Sequence, residues 1–140
     1  MNILKILTDK RLKGNIGEEA VCKLLKKKKY KILERNYVAN GHEIDIIAEC
    51  RDAVVFVEVK TRTRGKDDPR EPRPASAVTP KKQQSIIRAA AFYFGYYHPK
   101  GKTARFDVIE VYISEENRKR EVDEIVHLEN TFNKDTAYRG

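Results

Sequence analysis

The chain has 140 residues, which suits one domain with a sizeable core, and it contains no apolar run near the about 20 residues that a membrane span requires. Its formal net charge of +8 at pH 7 favours an anionic partner such as nucleic acid over an acidic small substrate. Because residues 1–7 are too short and too polar for a signal-peptide core, we expect a cytoplasmic protein without membrane association.

The first predicted element is a helix that starts at Gly14 and carries its apolar residues along one stripe. Lysines at positions 26–29 follow at its C-terminal end, where cations suit the helix dipole. This run favours a solvated helix end over a dedicated DNA contact. The apolar stripe consists of Ile16, Ala20, Val21, Leu24 and Leu25.

Three strands are predicted next, at residues 30–37, 43–48 and 53–61, and the second and third form a hairpin. Residues 62–77 then combine three prolines with an excess of arginine and lysine. This composition predicts a flexible basic loop rather than a regular element.

A second helix is predicted from its N-cap Thr79 and first-turn Pro80 to about Phe94. A strand at 105–113 follows, then a weaker strand candidate at 122–128 and a frayed tail from about residue 130. The order α-β-β-β-α-β predicts a single α/β domain with a mixed central sheet flanked by helices.

The third predicted strand changes from apolar to charged along one of its faces. Phe56, Glu58 and Lys60 share that face because side chains alternate along a strand. Asp45 joins them only if paired residue numbers in the hairpin have an odd sum, such as 101 or 103. Because ionised groups are costly to bury, the cluster indicates either a metal site or an ion pair between Lys60 and one of the acids.

Asp45 and Glu58 are suitable ligands for a hard cation such as Mg²⁺ or Mn²⁺. Mg²⁺ is commonly held by one or two carboxylates together with substrate phosphate and water. A cation at this position would polarise a phosphodiester, and Lys60 would orient the attacking water or stabilise developing charge. The pattern therefore predicts Asp45 and Glu58 as metal ligands, and both as catalytic residues with Lys60.

Two further acids have competing interpretations. Glu18 follows Asn15 by three residues, so it fits a capping box as well as it fits a place at the metal site. Asp107 follows Arg105 by two residues on a predicted strand. We expect this pair to form a structural salt bridge with Phe106 in the core.

Four residues are candidate contacts to nucleic acid. Lys82 and Gln83 lie in the first turn of the second predicted helix, whose positive end attracts phosphate. Arg62 and Arg64 begin the predicted basic loop and would follow a phosphate backbone. For all four, an ordinary solvated position is the alternative.

Six segments occur in an order that resembles the YraN family of small bacterial proteins, and together they cover about residues 14–111. This family is similar to the restriction-endonuclease-like superfamily, nearest to the archaeal Holliday junction resolvases. The resemblance implies an α-β-β-β-α-β core and a divalent-metal nuclease site made by Glu18, Asp45, Glu58 and Lys60. The matching segments begin at Gly14, Arg35, Gly41, Phe56, Val78 and Arg105.

His42 departs from the family pattern, which usually has a second glycine there, and it would narrow the turn or add a ligand. The leading hypothesis is a Mg²⁺- or Mn²⁺-dependent nuclease that acts on DNA, more than on RNA, in branched or structured form. The alternatives are a non-catalytic nucleic-acid-binding module and a protein-binding scaffold. A homodimer would suit a resolvase-like nuclease.

Overall fold

The structure is a computed structural model that describes residues 3–64, 78–116 and 119–138. In this part of the chain, no helix is both long and apolar enough to cross a membrane. The first seven elements follow the predicted order, and a short C-terminal helix comes after them. The elements are α1 (Ile3–Lys27), β1 (Lys31–Ala39), β2 (His42–Glu49), β3 (Ala53–Arg64), α2 (Pro80–Tyr97), β4 (Thr103–Glu116), β5 (Lys119–Phe132) and α3 (Lys134–Ala137).

The five strands form one mixed sheet in the order β1-β2-β3-β4-β5. Only β3 and β4 are parallel among these described strands, because α2 carries the chain back across the sheet between them. Helix α1 covers the face that presents Val55 and Val57, and α2 covers the face that presents Val54 and Phe56. The predicted α/β architecture, a mixed sheet flanked by helices, is confirmed and is consistent with a restriction-endonuclease-like core.

The hairpin of β2 and β3 has the register that the sequence analysis required. Ile46 pairs with Val57 and Ile47 with Phe56, so paired residue numbers sum to 103. Asp45 and Glu58 are the next residues beyond the last pair of this ladder, one on each strand. The two acids therefore belong to neighbouring strands at the same level of the sheet.

Two of the boundaries that differ from the predictions lie next to the candidate site. Helix α1 begins at Ile3 rather than at Gly14, so Gly14 lies inside a helix, which tolerates an interior glycine at a cost of about 1 kcal/mol. Strand β3 continues through residues 62–64, which the sequence assigns to a loop, because these residues pair with β4. The remainder of that predicted loop, residues 65–77, lies outside the described residues.

The sequence predicts a frayed tail from residue 130. Residues 130–138 instead form the end of a strand and a short helix, so the prediction is wrong for them. Strand β5 runs to Phe132, whose ring stacks on Phe106 with centroids 5.2 Å apart. Helix α3 follows with Asn133 as its N-cap, and Ala137 is buried. This segment is ordered because its few apolar side chains complete the core on the α2 face.

The α1 face contains a buried polar network around Asp107, which is 0% exposed. The Asp107 carboxylate accepts hydrogen bonds from Arg105 at 2.8 and 2.9 Å, from His127 Nε2 at 2.7 Å and from the Asn130 N–H at 2.9 Å. Lys28 Nζ donates to His127 Nδ1 at 2.9 Å, so the Nε2 proton of the imidazole points at Asp107. The predicted salt bridge between Arg105 and Asp107 is confirmed.

The electrostatics of Asp107 follow from this network. Burial by itself would raise the pKa of the carboxyl group, but the hydrogen bonds from His127, Arg105 and Asn130 outweigh burial and hold that pKa below its ordinary value. The group is therefore a satisfied, ionised structural acid.

Candidate active site

Strands β2 and β3 part at Asp45. The last ladder pair is Ile46 with Val57, and beyond it the Val59 N–H donates to the Asp45 carboxylate at 2.8 Å. The Asp45 carboxylate thus takes the place of the backbone carbonyl that would accept from the Val59 N–H if the two strands stayed paired. We call Asp45, Glu58 and Lys60 the strand fork.

Glu58 is a buried carboxylate whose hydrogen bonding is incomplete. It is 6% exposed, and its Oε2 atom has no hydrogen-bond partner. Its Oε1 atom forms an ion pair with Lys60 Nζ at 3.8 Å, so the ion pair that the sequence offered as the alternative to a metal site is present. Burial, followed by the negative charge of Asp45, raises the pKa of Glu58 to about 7, while Lys82 and Lys60 act in the opposite direction.

Asp45 is half-buried, and burial raises its pKa above the ordinary value. The hydrogen bond from Val59 and the charges of Lys82 and Lys60 oppose that increase. The two acids are close enough for the charge of Asp45 to raise the pKa of Glu58. They share one electrostatic environment, which also includes both ammonium groups.

Glu18 lies beside Asp45 in a cleft of about 270 Å³ on the α1 side of the sheet. Burial, and then the charge of Asp45, raises the pKa of Glu18. Glu58 and Lys60 alternate along β3 with the cleft residues Val59 and Thr61, so they project from the other face, which α2 covers, and do not line the cleft. The cleft is lined by Arg11, Gly14, Asn15, Glu18, Asn36, Glu43, Asp45, Val59 and Thr61.

A close contact between α1 and β3 sets the position of Glu18. A Cβ atom on Gly17 would clash with Thr61 Oγ1, so a larger residue there would require the Thr61 side chain or the helix to shift. The capping-box interpretation of Glu18 is wrong, because Asn15 lies inside α1 and cannot be its N-cap.

The first turn of α2 brings Lys82 and Gln83 to the same end of the sheet. Thr79 caps the helix by accepting from the Lys82 N–H at 3.2 Å, and the charge of Lys82 lowers the pKa of both fork acids. Gln83 is 8% exposed and its Nε2 donates to the Val78 carbonyl at 2.9 Å, while its Oε1 has no partner. Contact of these two residues with phosphate stays a prediction.

Arg62 and Arg64 are engaged within the chain. Arg62 Nε lies 3.4 Å from Glu110 Oε2. Arg64 pairs with Asp123 and Glu124 of β5, and its guanidinium lies 4.4 Å from the centroid of the Tyr112 ring. A phosphate would have to compete with these ion pairs, and phosphate binding by either arginine stays a prediction.

Two features escaped the sequence analysis. His42 Nδ1 lies 2.7 Å from Ser85 Oγ, which ties the start of β2 to α2. Glu110 is 6% exposed and stands opposite Lys60 in the parallel register. The signal for Glu110 was present, because Phe106, Val108 and Glu110 repeat on β4 the change from apolar to charged that marks β3.

Two of the three fork residues are carboxylates, the ligand type that a hard divalent cation prefers. Within the described residues, no group of three or more His, Cys, Asp or Glu side chains is arranged to hold a metal. Two carboxylates suffice for Mg²⁺, which fills its other positions with water and substrate phosphate. The unpaired Oε2 of Glu58 is a buried acceptor that lacks a partner from this chain. Asp45 and Glu58 therefore fit Mg²⁺ or Mn²⁺ by number and by ligand type.

Comparison with known proteins places this geometry in a family. The sequence model of "Uncharacterised protein family UPF0102" matches residues 17–111. A UPF0102 protein of Caldanaerobacter subterraneus subsp. tengcongensis is 40% identical over 124 residues, which cover 89% of this chain and 97% of the relative. A UPF0102 protein of Chlorobaculum parvum is 44% identical over 121 residues, which cover 85% and 90% respectively. The matched region holds every residue of the strand fork, and the chain belongs to the UPF0102 family.

Proposed function

We propose that this protein is a nuclease that hydrolyses phosphodiester bonds of DNA with Mg²⁺ or Mn²⁺ as cofactor. The observation that carries the proposal is Glu58, a buried carboxylate with one unpaired oxygen and a pKa of about 7 beside a second acid. Lys60 pairs with the other oxygen, so the unpaired oxygen is left to be compensated by a proton or by a bound cation. The preference for DNA in branched or structured form rests on the resemblance to the Holliday junction resolvases.

Each residue of the fork has a role in this proposal. Asp45 and Glu58 hold the cation, and the Val59 N–H fixes the orientation of the Asp45 carboxylate. When bound, the cation supplies Lewis-acid polarisation of the phosphate and lowers the pKa of a nearby water. Lys60, 3.8 Å from Glu58, offsets negative charge that develops on the phosphate oxygens.

Two residues support the fork from the flanking helices. Lys82 places a second positive charge near both acids from the first turn of α2, where the helix dipole also favours phosphate. Glu18 contributes a third carboxylate on the cleft side of Asp45. Burial, and then the charge of Asp45, raises the pKa of Glu18, which makes the ionised carboxylate a stronger proton acceptor than an ordinary glutamate.

The test is cleavage of labelled forks, four-way junctions and duplexes, and of matching RNA, with and without Mn²⁺. Wild type should cleave DNA only with the metal, and Glu58→Gln and Lys60→Ala should each lower the rate at least about 100-fold. Glu110→Gln is the matched control, because Glu110 is as buried as Glu58 but has hydrogen-bond partners in Arg62 and Tyr112.

The outcomes separate the candidate functions. Metal-dependent cleavage that fails in the fork variants and persists in the control would support the nuclease. Salt-sensitive binding to DNA without cleavage under any metal condition would instead indicate a nucleic-acid-binding module. The same activity in Lys60→Ala as in wild type would point to a contaminating nuclease.

A further inference from the structure

The C-terminal end of α1 carries a set of lysines that the fork does not use. Their side chains are exposed, and with the other described residues none of them makes an ion pair or a side-chain hydrogen bond. Lys28, within the same run, differs because it donates to His127. We call the unengaged set the distal lysine surface: Lys23, Lys26, Lys27, Lys29 and Lys31.

Acids of the chain account for two of these lysines: Glu19 precedes Lys23 by four residues, the favourable order for a helical ion pair, and Glu49 stands opposite Lys31 across β1 and β2. Lys23 precedes Lys26 and Lys27 by three and four residues, so the three ammonium groups share a helix face and repel each other. The helix dipole favours cations only within the last turn, which excludes Lys23 and Lys31. A bound polyanion would relieve the repulsion among Lys23, Lys26 and Lys27.

Lys29 occupies a backbone position that favours glycine. Its φ is 72°, in the left-handed region. The Tyr30 N–H donates to the Leu25 carbonyl at 2.9 Å and the Lys29 N–H to the Lys26 carbonyl at 3.0 Å, which is the Schellman pattern of a helix end. Glycine is the usual residue at this position, so a lysine here strains the backbone. This strain is explained if the ammonium group has a use.

The distal lysine surface lies away from the strand fork. Glu18 lines the cleft beside Asp45, and Lys27 follows nine residues later on the same helix, about 14 Å along its axis. Lys31 pairs with Glu49, at the end of β2 opposite to Asp45. A ligand that touched both places would have to be extended.

We propose that the distal lysine surface is a second contact for the sugar–phosphate backbone of duplex DNA. At about 3.4 Å per nucleotide, a separation of about 14 Å corresponds to about four nucleotides along one strand. The location of the cut relative to this contact rests on the proposed nuclease function, whereas binding at the surface does not.

Nucleic acid fits this surface better than a lipid bilayer does. Helices that lie on membranes bring an apolar face into the bilayer. The apolar face of α1, with Val21, Cys22 and Leu25, is buried against the sheet. None of the large apolar side chains that are exposed in the described residues lies between positions 23 and 31. The surface offers an excess of cations and no exposed large apolar side chain, which is the chemistry that recognises a phosphate backbone.

The test measures binding of a fluorescent 30-base-pair duplex in EDTA at several salt concentrations, so that cleavage plays no part. K26Q/K27Q is compared with K119Q/K134Q, which removes the same charge from exposed lysines of β5 and α3. Each lost phosphate contact reduces the slope of log K against log salt by about 0.9, so K26Q/K27Q should lose about 1.8. The control should retain the slope of wild type.

A second variant separates binding from folding. Lys29→Gly removes the ammonium group and also relieves the strained backbone. We expect it to raise the melting temperature and to weaken duplex binding together. A higher melting temperature with unchanged binding would overturn the proposal, because the lysine would then have no role in binding.

The remaining outcomes distinguish this proposal from the nuclease proposal. Equal slopes for K26Q/K27Q and its control would refute the surface even if wild type cleaves DNA. Binding to phosphatidylserine vesicles without binding to the duplex would also refute it. Binding lost in K26Q/K27Q would support the surface even if no metal produces cleavage.

Discussion

Asp107 and Glu58 are buried acids on neighbouring strands of one sheet, and their surroundings are opposite. Asp107, on the α1 face, accepts hydrogen bonds from Arg105, His127 and Asn130, and its pKa is lowered. Glu58, on the α2 face, has an unpaired oxygen and a pKa raised to about 7. The chain supplies hydrogen bonds to both oxygens of the first carboxylate but leaves one oxygen of the second without a partner. This contrast distinguishes a structural acid from an acid arranged for an external cation.

Removing the satisfied acid should have the largest effect on stability. Asp107→Ala leaves Arg105 and His127 without their buried partner, and loss of one member of a buried charged network costs about 3 to 5 kcal/mol. Urea unfolding measures this loss, with the exposed Asp52→Ala as control. A loss below about 1 kcal/mol would mean that the network contributes little.

Glu58 predicts a pH dependence of the opposite sign to that of Asp107. Its folded-state pKa is raised from 4.5 to about 7, so the folded protein binds more protons than the unfolded chain between these values. In EDTA, the free energy of unfolding should therefore fall by about 3 kcal/mol as pH rises from 4.5 through 7. The lowered pKa of Asp107 instead contributes stability that is lost as pH falls below 3.8.

The control for this pH dependence is Glu58→Gln, which cannot titrate. Its free energy of unfolding should lack the fall between pH 4.5 and 7 that wild type shows in EDTA. An identical fall in the variant would assign the effect to another group and would break the contrast with Asp107.

Two glycines of α1, Gly14 and Gly17, allow a test of how closely the helix must approach β3 beside the cleft. Gly17→Ala forces a Cβ atom against Thr61 Oγ1 and should cost about 1 to 3 kcal/mol. Gly14→Ala meets no atom within 4 Å and should stabilise the helix by about 0.5 to 1 kcal/mol. Thermal unfolding of both variants checks the sign. If both stabilise the protein, α1 does not require the close approach at Gly17.

The strand fork could be predicted because its signals are local. Alternation along β3 placed Glu58 and Lys60 on one face, and the hairpin left few registers for Asp45. The observed register, with paired numbers that sum to 103, is one of the two that the pattern allowed. Apolar periodicity and the turn residues between the strands were enough for this part of the fold.

Other features depend on partners that are distant in the sequence. The ion pairs of Arg64 join β3 to Asp123 and Glu124, about 60 positions later, and no local pattern specifies them. Helix α3 is ordered because Ala137 is buried and its carbonyl accepts from Gln84. Both result from tertiary contacts, which sequence periodicity does not encode.

The most direct test of the account is calorimetric titration of the protein with Mn²⁺ in the absence of DNA. We predict binding by wild type and by Glu110→Gln, and a loss of at least about tenfold in affinity in Asp45→Asn and Glu58→Gln, because each removes one of two ionised ligands. Affinity in Glu58→Gln equal to that of wild type would contradict the central claim that the two acids of the strand fork hold a divalent cation.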